Sequence, residues 1–168
     1  SQGAEIFGKV VPGAIKMIKD QGYDIEIYQQ CTSSQKNLLI DFYKKNNINN
    51  YVFEFEKNIL KLILSSNLAI TRCGASTIAE LVHTLTPFIA VPYPHSMDRH
   101  QYLNAKHYES KGCCWVIEEH SFNSKNLFNY IIDLIKDSKK LENVRLSMKR
   151  NDSKDVYVKV ENAIREFI

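Results

Sequence analysis

The run Thr71-Arg72-Cys73-Gly74-Ala75-Ser76-Thr77-Ile78-Ala79-Glu80 carries the strongest chemical signal in the chain. It follows the short apolar stretch LAIT, and a helical pattern opens inside it. A glycine at the turn and small residues after it let a ligand reach the backbone N–H groups of a helix start, where the helix dipole favours an anion. Thr77 and Glu80 stand three apart, the spacing of a capping box in which the glutamate bonds back to the helix start. A glutamate facing a loop crevice is equally suited to accept two hydrogen bonds from a ribose diol. The spacing leaves both roles open, and the two are compatible.

A second polar segment is Val91-Pro92-Tyr93-Pro94-His95-Ser96-Met97-Asp98-Arg99-His100-Gln101-Tyr102-Leu103-Asn104. Two prolines stiffen the exit of an apolar strand, and a polar loop leads into a helix. Gln101 and Asn104 fall on one side of that helix, and neutral amides pair well with sugar hydroxyls because each offers donors and an acceptor. A solvated helix start explains the same residues more plainly. His95, Asp98 and His100 are close together, but their spacing fits no standard metal site. Ser1-Gln2-Gly3-Ala4 reads as part of a glycine-containing loop able to cradle a phosphate. Neither a G-x-G-x-x-G fingerprint nor a P-loop occurs.

The 168 residues are one domain's worth, and 44% hydrophobic with 24% charged residues is ordinary globular composition. Net charge is only +3, with Lys and Arg scattered, which argues against a nucleic-acid partner. Of the four cysteines, Cys31, Cys73, Cys113 and Cys114, none forms a C-x-x-C pair, so reduced thiols are expected rather than a zinc site. Adjacent Cys113 and Cys114 suit opposite faces of a strand. No apolar window approaches the roughly 18 residues of a membrane span, and no signal-peptide pattern is visible.

The elements that must position these residues follow from periodicity. Helices are expected at 5–20 (with Pro12 near its start as a possible kink), 33–45, 58–65, 77–84, 100–110, 125–135, 139–150 and 154–167. Strands are expected at 24–30, 51–55, 68–71, 87–93 and 113–118. Apolar strands alternating with helices imply an α/β fold, a parallel sheet with helices on both faces. Such sheets bind ligands at the carboxyl ends of their strands, where both polar segments lie.

In this order, R-C-G-A-S-T-I-A-E, the strand P-F-I-A-V-P-Y-P and D-R-H-Q-Y-L-N-A resemble the peptidoglycan-building N-acetylglucosaminyltransferases of glycosyltransferase family 28. The opening S-Q-G-A resembles the end of that family's G-G-S-Q-G-A loop, and the likeness covers essentially the whole chain. It implies that residues 1–168 form the Rossmann-like C-terminal half of a GT-B fold, the domain that binds UDP-N-acetylglucosamine. An N-terminal acceptor domain would then lie outside the chain.

The resemblance also implies roles. Ser1 would contact the donor's phosphate and sugar region. Ala75, Ser76, Thr77, Ile78, Ala79 and Glu80 would line the donor pocket, with Glu80 on the ribose. Gln101 would read sugar hydroxyls, helped by His100, where many members carry glutamine. Glu56 falls where the family reads uracil through backbone groups; the usual residue there is isoleucine, so only the backbone role carries over. The reaction implied is metal-independent and inverting, with no cofactor: N-acetylglucosamine passes from UDP to lipid I, giving lipid II, at the cytoplasmic face of the bacterial inner membrane. The catalytic base and lipid I site would belong to the N-terminal domain, so no catalytic residue is assigned in this chain. Two alternatives stay open: another acceptor, such as a diacylglycerol or a dolichol-linked sugar, or a non-catalytic nucleotide-sugar-binding subunit.

Overall fold

A computed structural model of the chain describes residues 2–151, with side chains from residue 5 onward. Ser1 and the helix expected at 154–167 lie outside the described residues. The elements run α1 (Gln2–Asp20), β1 (Glu26–Gln30), α2 (Ser33–Lys45), β2 (Asn49–Phe53), α3 (Ile59–Ser65), β3 (Ala69–Thr71) and α4 (Ala75–His83). They continue as β4 (Phe88–Ala90), α5 (His100–Ser110), β5 (Cys114–Val116), α6 (Ser124–Lys136) and α7 (Ser138–Asn151). Single 3-10 turns at Met97–Arg99 and Glu119–Ser121 follow β4 and β5.

α1 starts three residues earlier than the periodicity suggests, so Gln2, Gly3 and Ala4 are helical and not a loop. Pro12 sits inside it without ending it. Its buried stripe of Val10, Val11, Ala14, Ile15 and Ile18 has the three-and-four spacing of a core-facing helix. Gly13 is where α6 crosses: a Cβ there would lie 2.6 Å from Ser124 Oγ, whose hydroxyl donates to Val10 O at 2.7 Å. Any side chain at position 13 would have to displace Ser124 and its bond to Val10.

Every strand pair is parallel, as expected, but the strands form two sheets rather than one. β1 pairs with β2, and separately β3, β4 and β5 pair in that order. β4 shows why such strands read as continuously apolar. Ile89 and Val91 join the core under α1 and α6, while Phe88 and Ala90 join a second core with α4, α5 and α7. Flanked on both sides, all three residues of β4 are buried; β3, flanked on one side, has none buried. All four cysteines are buried free thiols, Cys113 and Cys114 included.

Candidate functional site

Both polar segments lie at the carboxyl ends of the three-stranded sheet. α4 is capped by Gly74 in extended conformation (φ −65°, ψ 143°), and no side chain bonds the cap. The first helical bond is Ile78 N–H to Gly74 O at 3.0 Å. The N–H groups of Ala75, Ser76 and Thr77 therefore have no acceptor within the helix. A Cβ on Gly74 would meet nothing nearer than Thr77 Oγ1 at 4.0 Å, so the glycine leaves open space before the helix end.

The capping box is not formed. The helix starts two residues before Thr77, which places Glu80 in the second turn, beyond reach of the cap. The cause lies in the preceding loop, whose backbone is gripped from α5. Gln101 Oε1 accepts the Cys73 N–H at 3.2 Å, and Asn104 Nδ2 donates to Cys73 O at 3.2 Å. With Cys73 held at both its N–H and its C=O, the chain passes through extended Gly74 and enters the helix at Ala75, a residue of high helix propensity.

Gln101 does more. The same oxygen accepts the Tyr93 N–H at 3.0 Å, so one carboxamide joins the β3–α4 and β4–α5 loops. Two donors at the oxygen fix the orientation of the amide and turn Nε2 the other way. Asn104 lies on the same face, as its spacing suggests, but spends its Nδ2 on Cys73.

Arg72 is a second junction, unassigned from sequence. Nη1 donates to Val91 O and Pro92 O at 3.2 and 3.3 Å, and Nη2 pairs with Glu119 Oε2 at 2.5 Å. Its guanidinium also lies 5.3 Å from the Phe7 ring centroid and 5.2 Å from that of Tyr93. One planar cation thus ties the exits of β3, β4 and β5 to α1. The available signal was an arginine between an apolar strand and a buried turn, which is costly unless partnered.

Arg72, Thr77, Glu80, Tyr93 and Gln101 line one continuous groove of about 1120 Å³. Glu80 is exposed, and its carboxylate makes no hydrogen bond or ion pair among the described residues. Ala75, Ser76 and Ala79 are exposed beside the groove, while the Ile78 side chain is wholly buried in the core. His100 is exposed, with Nε2 3.7 Å from Asp98 Oδ2, and lies outside the groove lining. Asp98 and Arg99 both adopt left-handed backbone (φ 46° and 56°), and the Arg99 guanidinium stacks 4.5 Å from the Tyr102 ring centroid.

Glu56 also lies outside the groove lining. β2 ends at Phe53, two residues before the expected end, and Glu56 folds back on its own loop. It accepts from Asn58 N–H and Tyr51 OH, both at 2.8 Å. Those two bonds, the backbone one first, hold its carboxyl below the usual glutamate range. Its side chain is thereby committed, which leaves its backbone for any ligand.

A search for similar proteins matches residues 1–160 to the glycosyltransferase family 28 C-terminal domain. The chain belongs to that family. A UDP-N-acetylglucosamine–N-acetylmuramyl-(pentapeptide) pyrophosphoryl-undecaprenol N-acetylglucosamine transferase of Rickettsia prowazekii is 35% identical over 170 residues, covering 100% of this chain and 44% of that protein. A Wolbachia pipientis transferase of the same name is 33% identical, covering 100% of this chain and 48% of the relative. The chain thus spans less than half the length of these relatives. In three dimensions it resembles Acinetobacter baumannii MurG, with a TM-score of 0.79 at 22% identity over 95% of this chain and 47% of that one. A more distant likeness is the spinosyn forosaminyltransferase SpnP, TM-score 0.58 at 14% identity. Both likenesses support the Rossmann-like α/β fold of a GT-B glycosyltransferase half.

Proposed function

We propose that this domain holds the donor, UDP-N-acetylglucosamine, for transfer to lipid I by a longer enzyme working at the cytoplasmic face of the membrane. The observation that carries the reading is the exposed Glu80 carboxylate in the same groove as Thr77 and Gln101, beside the free amides of α4. A carboxylate accepts from both hydroxyls of a ribose diol, and a helix N-terminus attracts the diphosphate. Gln101 Nε2 supplies one donor for a sugar oxygen, while its oxygen keeps the loops in place.

The chemistry is a displacement at the anomeric carbon. The acceptor's C4 oxygen forms the new bond as the bond to UDP breaks, with inversion, and a base takes the acceptor proton. The amides at the α4 start stabilise charge on the departing diphosphate. This domain contributes donor binding; the base and the acceptor site come from the partner domain of the cleft. The chain alone therefore binds donor without turning it over. Incubating it with labelled UDP-N-acetylglucosamine and a lipid I analogue, with and without a separately expressed N-terminal domain, tests this. Turnover only with the second domain supports the reading, and turnover by the chain alone overturns it.

A further inference from the structure

Beside the donor groove, at the carboxyl ends of β4 and β5, lies a second cleft of about 440 Å³. Tyr93 lines both, so the two are adjacent. Small-ligand sites commonly measure about 300–1,000 Å³. Much of this cleft is fixed by Arg72, which lies 5.2 Å from the Tyr93 ring centroid, donates to Pro92 O at 3.3 Å and pairs with Glu119 Oε2 at 2.5 Å. Glu119 lines the cleft, but its charge is spent on the fold.

Two other charged groups of the lining are not spent. Arg99, exposed ahead of α5, stacks 4.5 Å from the Tyr102 ring centroid, and its side chain makes no hydrogen bond or ion pair among the described residues. Glu118, exposed ahead of the 3-10 turn after β5, has His120 Nδ1 at 3.8 Å as its one close charged neighbour among the described residues. Lys106, which Glu118 also faces at longer range, is paired with Glu109 at 2.7 Å. Arg99 and Glu118 thus carry opposite charge in one cleft without pairing with each other. The backbone beneath Arg99 adds to this. Asp98 and Arg99 hold φ of 46° and 56°, unfavourable for residues with a Cβ. Strain of this kind gathers where a side chain must be placed for a ligand.

We infer that this cleft is a subsite for a peptide carried by the acceptor, with a carboxylate of the peptide against Arg99 and an ammonium against Glu118. An arginine stacked on a ring presents its planar fork to a carboxylate in a set orientation. An ammonium is a compact charge that an exposed carboxylate can hold. A nucleotide sugar has no cation to offer Glu118, which separates this cleft from the donor groove. The matched relatives are named for an acceptor that bears a pentapeptide. The assignment rests on the donor reading, since an acceptor is brought to this side of the domain only by a donor held in the adjoining groove.

The test uses the 168-residue chain and the peptide N-acetyl-Ala-Lys-Ala-Ala, which carries one ammonium and one carboxylate. One control peptide ends in an amide, and another has norleucine in place of lysine. Binding is read by NMR from the amides of Tyr102, Glu118 and His120. The parent chain should bind the first peptide saturably at millimolar concentration and each control about five-fold more weakly. Arg99→Gln should erase the penalty for the amide alone, and Glu118→Gln the penalty for norleucine alone. That crossed pattern requires two separate charge contacts. Equal binding of the three peptides, no saturable shift, or loss of both penalties together in either variant overturns the inference. UDP-N-acetylglucosamine is titrated into the same samples and followed at the amides of Ala75 and Thr77. Donor shifts without the crossed pattern overturn the subsite and leave the donor reading standing. The crossed pattern without donor shifts supports the peptide contacts and strikes the donor reading.

Discussion

Gln101 accepts the backbone N–H of Tyr93 at 3.0 Å with the same oxygen that takes the N–H of Cys73, so its amide is a rivet between two loops before it is a ligand contact. Gln101→Ala should therefore orphan two N–H groups and cost about 1–3 kcal/mol. It should weaken UDP and UDP-N-acetylglucosamine alike. Gln101→Glu keeps the acceptor and removes the outward donor, so it should melt within a few degrees of the parent while losing sugar preference. Calorimetric titration of both ligands against both variants checks this; an alanine variant that melts normally and loses only sugar affinity would contradict it.

Among the described residues the Glu80 carboxylate has no structural partner, which makes the outcome of Glu80→Gln clean. UDP affinity should fall about ten-fold through loss of charge-assisted bonds to the ribose. The melting temperature should not move. Unchanged UDP affinity would remove the ribose assignment.

Arg72 should behave oppositely. Arg72→Ala removes the junction of three strand exits and leaves Glu119 alone, costing about 2–3 kcal/mol in urea unfolding. Arg72→Lys should recover only part of that, because an ammonium cannot reproduce the planar fork between Phe7 and Tyr93. Full recovery by lysine would show that charge alone matters.

Glu56 gives a pH signature. Its folded carboxyl is held below the usual 4.5 by the Asn58 amide and the Tyr51 hydroxyl. A lowered carboxylate contributes stability that is complete above the unfolded value and lost as pH falls through the folded one. Glu56→Gln should lower stability at neutral pH, flatten the profile below about pH 4.5 and converge with the parent at the acid end. An identical acid profile would contradict the assignment.

Burial pushes the Cys73 thiol up to about 12 and that of Cys114 higher still. Both should stay neutral and resist iodoacetamide at pH 8 in the native chain, reacting only in denaturant. Mass spectrometry after timed labelling reads this directly, and fast native modification of Cys73 would contradict it.

Much of the fold was legible because periodicity reports burial. Helices α2 and α5 match their expected limits, and buried β4 announces itself as a continuous apolar run. Tertiary contacts were not legible. The start of α4 is set by Gln101 and Asn104 gripping Cys73, about thirty residues away in sequence, and this overrides the local capping signal at Thr77 and Glu80. Arg72 stayed unassigned because its partners come from two other loops and from α1. The split of the sheet was invisible too, since the side-chain pattern of a strand reports the burial of its faces and not whether a neighbour pairs with its edge.

Donor binding by this domain is tested most directly by titrating the isotope-labelled 168-residue chain with UDP-N-acetylglucosamine, using UDP and UDP-galactose as controls. Half of a cleft should bind weakly, at high-micromolar to millimolar dissociation constants, about −4 to −6 kcal/mol. Saturable shifts are expected at the amides of Ala75, Ser76, Thr77 and Glu80 and at the Gln101 side-chain amide, the last absent with UDP alone. No saturable shift at any of these positions, or shifts confined to another face, would contradict it.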